Sequence, residues 1–475
     1  MRCAAAAIVL AVAQALVCAQ DTAALDAFRD GEYARAEALL RATLEERPGD
    51  PAAWYNLACA LAQQGELDAA SEALVRAIEH GFDDVVQIGR DPHLEPIRDH
   101  ALVAQIRAEW PRIVMARADA REAQLAERFG PTYRYARDDE RRLLFASDLA
   151  ESSFDAARAE VEVVHAWCLD ELFVDLQAAD ETDAYSAIVL PNRRDFLRWI
   201  VRRYGPEAAA PGQFHAIGGA YDHDAKQLVA QDIGATLRHE YAHVLHWRSM
   251  TRLGQRHPIY VQEGLCALVE DLDRDGGVVR PARSWRTNIA QRLAKAGRLP
   301  GIEEFARTDH ERFQTRRPLA NYAIARSLFL YVHARGELGA WYAHYTANYR
   351  ADPLGIGSFE HVLGKPIAEV DRDWRAWLRG LEPVPEEVRP GSASLGVDVD
   401  PGRGDGPSIA RVIERDVRRA GLKRGDVITA IDNAPVRDVA ELVRVLGGYA
   451  PGDRATVSYR RGTLTGEVVV TLVAR

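Results

Sequence analysis

Apolar residues near the start of the chain recur at helical spacing in two linked sets. Trp54, Leu57, Ala58 and Leu61 share one helix face, and Ala69, Ala73, Leu74 and Ile78 share the next. The pattern around them repeats: Gly31-Glu-Tyr-x-x-Ala36 returns 34 residues later as Gly65-Glu-Leu-x-x-Ala70, with a Pro-Gly-Asp-Pro turn at 48–51 between the copies. A charged helix over 117–129 then gives way to strand-like runs at 133–135 and 143–147, a helix over 154–172 and a buried strand over 185–190. Residues 218–229 read as a hairpin or edge strand with Asp222, His223 and Asp224 at its turn. From 236 on the period is helical: 236–247, 260–270, 289–296, 322–335, 338–349 and 367–378. Past a proline-rich stretch at 382–392 it switches to alternation, in runs at 395–399, 409–413, 426–431, 456–459 and 467–473 with one helix at 439–446.

With 475 residues, 47% hydrophobic and 27% charged, the chain is globular material for about three domains. The pattern predicts an export leader at 1–19, helical repeats with a capping extension at 20–112, an α/β lobe followed by a mainly α lobe at 113–382, a linker at 383–391 and a small β-rich domain at 392–475. A net charge of -10 leaves no basic surplus for phosphates, so nucleic acid is not an expected partner. The leader rests on Arg2, an Ala/Val/Leu-rich run over 3–17 and Val17-Cys18-Ala19, and predicts a periplasmic or secreted protein with no membrane span once it is cleaved. Cys59, Cys168 and Cys266 then remain, an odd number for which no disulfide is expected; Cys266 reads as a small core residue.

The chemistry concentrates at Thr236 to Trp247, TLRHEYAHVLHW, where His239, Glu240 and His243 stand in the order His-Glu-x-x-His. On a helix the two imidazoles lie one turn apart on one face, able to converge on one ion, with a carboxylate beside them to take a proton from water. Asp232 or Thr236 is available as the helix cap. A catalytic zinc needs a third protein ligand and an open fourth position. Glu263, twenty positions beyond His243 at the start of the next helix, suits that role. His246 is disfavoured because three ligands from one short helix splay poorly around a tetrahedral ion, and His257 stays open. The class with a Gly three and a His six positions past the second histidine is excluded, since those positions hold His246 and Ser249. His215 and His223 read first as surface or turn histidines. Glu270 reads first as solvated acidic surface with Asp271 and Asp273, and second as a partner for a ligand histidine.

These residues carry three resemblances. The repeat at 22–82 resembles the tetratricopeptide repeat, which implies contact with a protein partner or a packing extension of the enzyme. HEYAH with Glu263-Gly-Leu, Asn321-Tyr-Ala-Ile-Ala-Arg-Ser-Leu, and Gly364-Lys-Pro-Ile with Asp373-Trp-Arg-Ala-Trp resemble the Peptidase MA-like gluzincins over about 130–382. That resemblance implies zinc held by His239, His243 and Glu263, Glu240 as general base and later proton donor, and Tyr322 as the phenol that stabilises the oxyanion. The aminopeptidases among these relatives carry Gly-x-Met-Glu-Asn ahead of the metal helix; this chain has Gly218-Gly-Ala-Tyr-Asp222, which turns the expectation toward internal cleavage of a polypeptide. Residues 392–475 resemble PDZ domains, with Ser394, Leu395, Gly396 and Val397 as the loop that holds a peptide's terminal carboxylate and the adjoining strand as its pairing edge. The expectation is an exported zinc metallopeptidase whose flanking modules position substrate; the alternative is a non-catalytic, zinc-stabilised scaffold.

Overall fold

Strict alternation along three short strands sets one sheet between two cores. In the computed structural model, which describes residues 19–177, 182–209 and 218–475, β1 (Arg134–Asp138), β2 (Leu143–Ser147), β3 (Ser186–Leu190), β4 (Gly219–Asp222) and β5 (Gln227–Ala230) form one sheet in the order β1-β2-β3-β5-β4. The central strands β2, β3 and β5 are parallel, and both edges are antiparallel. Leu143, Phe145, Ile188, Leu190 and Leu228 face one core; their neighbours Leu144, Ala146, Ala187, Val189 and Val229 face the other.

The second core is filled from the N-terminal side. Helices α1 (Ala19–Arg29) with α2 (Tyr33–Glu46) and α3 (Pro51–Gln63) with α4 (Leu67–Glu79) form two hairpins. Gly31 and Gly65, the recurring glycines, sit in the turns at φ +74° and +82°, which explains why glycine repeats there. Asp50 caps α3 by accepting from the Ala52 and Ala53 N–H groups just ahead of Pro51. The short α5 (Val85–Arg90) and a 3-10 turn at Pro92–Ile97 follow, burying Leu94 and Ile97 against the repeats as the predicted cap. The boundary expected at 112/113 falls inside α6 (Ala101–Phe129), one continuous helix whose Trp110 and Val114 join the repeats to the sheet. The expected helix at 117–129 is only its second half. The predicted leader lies outside the described residues except for Ala19, already within α1.

On the opposite face of the sheet lie α7 (Glu151–Glu171), α9 (Ala235–Leu253) and α10 (Ile259–Cys266), while α8 (Arg193–Tyr204), between β3 and β4 in the chain, packs Phe196 and Ile200 into the core on the repeat side. The mainly helical second lobe follows: a hairpin of β6 (Leu272–Asp275) and β7 (Val278–Pro281), then α11 (Trp285–Lys295), α12 (Ile302–Ala306), α13 (His310–Thr315), α14 (Pro318–His333), α15 (Leu338–Asn348), α16 (Ile356–Leu363) and α17 (Ile367–Gly380). Pro318 opens α14 four residues earlier than expected, in the first turn where its missing N–H is harmless. The single helix expected over 260–270 is instead α10 plus a 3-10 turn at Ala267–Glu270. Arginines draw its carbonyls aside: Arg326 donates to Ala267 O at 2.7 Å, and Arg238 donates to Val269 O at 3.0 Å and to Glu270 O.

The C-terminal domain has its own core. Strands β9 (Val397–Asp400), β10 (Ser408–Val412), β11 (Val427–Ile431), β13 (Arg454–Arg461) and β14 (Leu464–Thr471) follow the order β14-β13-β11-β10-β9, and β12 (Ala434–Pro435) pairs with β11. β8 (Ala393–Ser394) pairs with β15 (Val473–Ala474). Helix α19 (Val439–Leu446) matches expectation; α18 (Arg415–Ala420) was not foreseen, because Val417 is its one buried residue. Cys59, Cys168 and Cys266 are free and buried. Among the described residues no helix is long and apolar enough to cross a membrane.

Candidate metal centre

The N-cap position of α9 falls on Gly234 rather than on the expected Asp232 or Thr236; Asp232, two residues ahead, still serves the first turn, its carboxylate accepting from the Gly234 and Thr236 N–H groups at 3.0 Å each and from the Thr236 hydroxyl. One turn later His239 and His243 point the same way. His239 Nε2 lies 3.1 Å from His243 Nε2 and 3.2 Å from Glu263 Oε2, and His243 Nε2 is 3.3 Å from that same oxygen. These three donors form a near-equilateral triangle, and they lie within 4.8 Å of one another, close enough to share one metal ion. Zinc bonds of about 2.0–2.1 Å in a tetrahedron imply ligand edges of about 3.3 Å, so the residues present fit that ion.

The site is buried. His239, Glu240, His243 and Glu263 are 1%, 0%, 4% and 0% exposed. Glu263 comes within reach because Gly264 lets α10 lie against α14: a Cβ there would stand 2.6 Å from the Phe329 ring and 3.0 Å from Ala325 O. Burial opposes the Glu263 charge, and His243 and His239 overcome it, holding the carboxyl at about 2. Glu240 differs. No other side chain bonds either of its oxygens, and burial raises its carboxyl to about 7 against the pull of His239 and His243.

Glu270 overturns its first reading. It is 4% exposed, its Oε1 lies 3.0 Å from His239 Nδ1, and its other oxygen accepts from Arg286. Asp271 is buried too, and of the three acids Asp273 is the wet one, at 62% side-chain exposure. Tyr322 is fully buried, with its ring centroid 6.2 Å from that of His239 and the Arg286 guanidinium 5.2 Å over its face. Burial and the charges of Glu263 and Glu240 raise its phenol well above the usual value, keeping it protonated.

The competing ligands turn elsewhere. His246 Nε2 meets His257 Nδ1 at 2.8 Å, both rings stay neutral through burial, and Gln255 holds the other His257 nitrogen at 3.0 Å. His223 stacks on Trp247 with centroids 4.2 Å apart, away from the triangle. His215 lies outside the described residues. In the C-terminal loop, Gly396 has φ +67° and its N–H donates to Ser394 Oγ at 3.1 Å, while Leu395 is buried and β9 beyond Val397 is the sheet's terminal strand.

Sequence reasoning missed Arg238, Arg286 and Glu441. Arg238 directly precedes His239, about 100° around the helix from it, and is 0% exposed, and Arg286 links Glu270 to Tyr322. A signal existed for one arginine of this kind: Arg326 sits in an otherwise apolar helix, which predicts a buried guanidinium serving backbone carbonyls.

The tetratricopeptide repeat family model matches residues 27–88, and the PDZ domain family model matches residues 393–472. The chain therefore carries a helical repeat region and a C-terminal PDZ domain. A stretch of 107 residues is 32% identical to a "Probable periplasmic serine endoprotease DegP-like" of Brucella suis, covering 21% of this chain and 18% of that protein. A stretch of 48 residues is 40% identical to "Protease Do-like 8, chloroplastic" of Arabidopsis thaliana, covering 10% of this chain and 11% of that protein. The chain thus spans less than a fifth of the length of these curated relatives. Among solved structures, an aminopeptidase N family protein from Idiomarina loihiensis aligns over 70% of this chain and 65% of its own at 13% identity, with a TM-score of 0.19.

Proposed function

We propose that the protein is a zinc metallopeptidase of gluzincin type that hydrolyses peptide bonds within polypeptides. The observation that carries this reading is Glu240: a carboxylate at 0% exposure that no other side chain bonds, beside three donors spaced for one ion. A buried carboxylate without a side-chain partner costs a fold stability, and a purely structural metal site has no use for one. Bound zinc would polarise the scissile carbonyl and bring the ionisation of water near neutral pH. Glu240 takes the proton from the attacking water and hands it to the leaving amine. Tyr322, held protonated beside Glu263, is the group to donate toward the developing oxyanion, and Glu270 and Arg286 orient His239 through Nδ1.

The edge position of β4 supports a chain-like substrate. Its outer side is unpaired within the sheet, and it lies against α9, so an extended polypeptide could add there by main-chain hydrogen bonds. The absence of Met-Glu-Asn in this strand supports internal rather than amino-terminal cleavage. The open edge of β9 supports capture of a peptide C-terminus at Ser394–Val397, with the carboxylate displacing the Ser394 hydroxyl from the Gly396 N–H. The helical repeats are the candidate contact for a protein partner. Export to the periplasm or outside the cell fits the leader, and one relative is named periplasmic.

Metal exchange tests the reading. Dialysis against a strong chelator should abolish cleavage of an unstructured protein, and one equivalent of zinc should restore it. Activity that survives complete removal of metal would refute a metallopeptidase.

A further inference from the structure

The C-terminal domain is locked onto the first turn of the metal helix by buried charge. Arg238, one residue ahead of His239, donates to Glu160 of α7 at 3.1 Å and to Glu441 of α19 at 2.6 Å. All three are at least 95% buried. Arg437 closes the ring, donating from its side chain to Glu160 at 3.0 Å and from its backbone N–H to Glu441 at 2.8 Å. The loop of 401–406 adds to the contact: the Ile233 N–H donates to Gly404 O at 2.8 Å, and Ser153 donates to Asp405 at 2.6 Å. A domain tethered for substrate capture alone needs no such interface.

The same guanidinium reaches the metal site. Its remaining hydrogen bonds go to Val269 O and Glu270 O, fixing the backbone of the 3-10 turn whose Glu270 side chain stands 3.0 Å from His239 Nδ1. One planar group thus joins α19, α7 and the residue that orients a ligand imidazole. A guanidinium presents its donors in a rigid fork, so displacing one acceptor shifts the rest.

We propose that Arg238 is a positioning residue for His239, held in place by Glu441, so that the PDZ domain is a built part of the metal centre. This rests on the metal reading of His239, His243 and Glu263.

The test uses the full chain and Co2+ as the probe, titrated against a competing chelator and read by visible absorption. Glu441→Ala should weaken Co2+ binding about 3- to 10-fold, short of the loss expected for a residue touching the ligand itself, and should shift the absorption band. Glu441→Asp should recover part of both. Arg444→Ala cuts the same domain contact, where Arg444 meets Asp273 and Leu272 O, without touching Arg238; it should leave Co2+ affinity within about twofold of wild type on the same scale. Glu441→Gln, which keeps the size of the side chain, replaces the alanine variant if that chain fails to fold. Wild-type affinity and spectrum in the Glu441 variants would overturn the proposal, as would an equal loss in Arg444→Ala, which would mark general loosening of the domain. A wild-type chain that takes up no metal overturns the metal reading and this proposal together.

Discussion

Glu270 stands among three acidic residues that read as a wet face, yet its carboxylate lies between His239 Nδ1 and the Arg286 guanidinium. Holding that nitrogen's position leaves Nε2 directed at the triangle. Glu270→Ala is therefore expected to reduce zinc affinity about 10- to 100-fold, measured by competition with a chromogenic chelator; unchanged affinity would remove Glu270 from the site. His239, Glu240, His243 and Glu263 were legible in the sequence because covalent spacing on two successive helices brings them together. Glu270, Arg238 and Arg286 were not. Their roles depend on partners far along the chain, as with Arg238 and Glu441, 203 positions apart.

The elements were read well where period and burial agree, as in β2, β3, α9 and α19, and less well where side chains from elsewhere claim the backbone. The turn after α10 is the instructive case: hydrophobic period continues through 270, but Arg326 and Arg238 take the carbonyls that would extend the helix. Close packing is the second hidden factor. Gly264 follows the candidate ligand Glu263, and an added methyl would meet both the Phe329 ring and a backbone carbonyl. Gly264→Ala should destabilise the chain by about 1–3 kcal/mol, seen as a lower midpoint in thermal or denaturant unfolding. A midpoint equal to wild type would show that α14 moves aside freely.

At the scale of the whole molecule, α9 is gripped at both ends. Arg90 from the repeat region donates to Thr251 O and, at 3.2 Å, to Arg252 O at its C-terminus, where a cation also suits the helix dipole. The C-terminal domain holds the other end through Gly404 and Glu441. The three-module order was legible from repeat, motif and alternation; this convergence on one helix was not, because it depends on single contacts in loops. The charged interface also sets a pH dependence. Burial opposes the Glu160 charge, and Arg238, Arg274 and Arg437 outweigh it, lowering the carboxyl to about 2. A carboxylate depressed on folding contributes stability that is complete above its unfolded value, near 4.3, and is lost as pH falls toward 2. Hydrogen exchange at 233–241 should stay protected down to about pH 4.3 and rise below it; protection lost already near neutrality would contradict this network.

The most direct test of the account compares wild type with Glu240→Gln, both loaded with one zinc, on an unstructured protein substrate. The account predicts internal cleavage by wild type and a rate lower by about a hundredfold or more in the variant, with zinc content unchanged. Equal cleavage by both chains, or a zinc-loaded wild type that cuts no polypeptide, would contradict it.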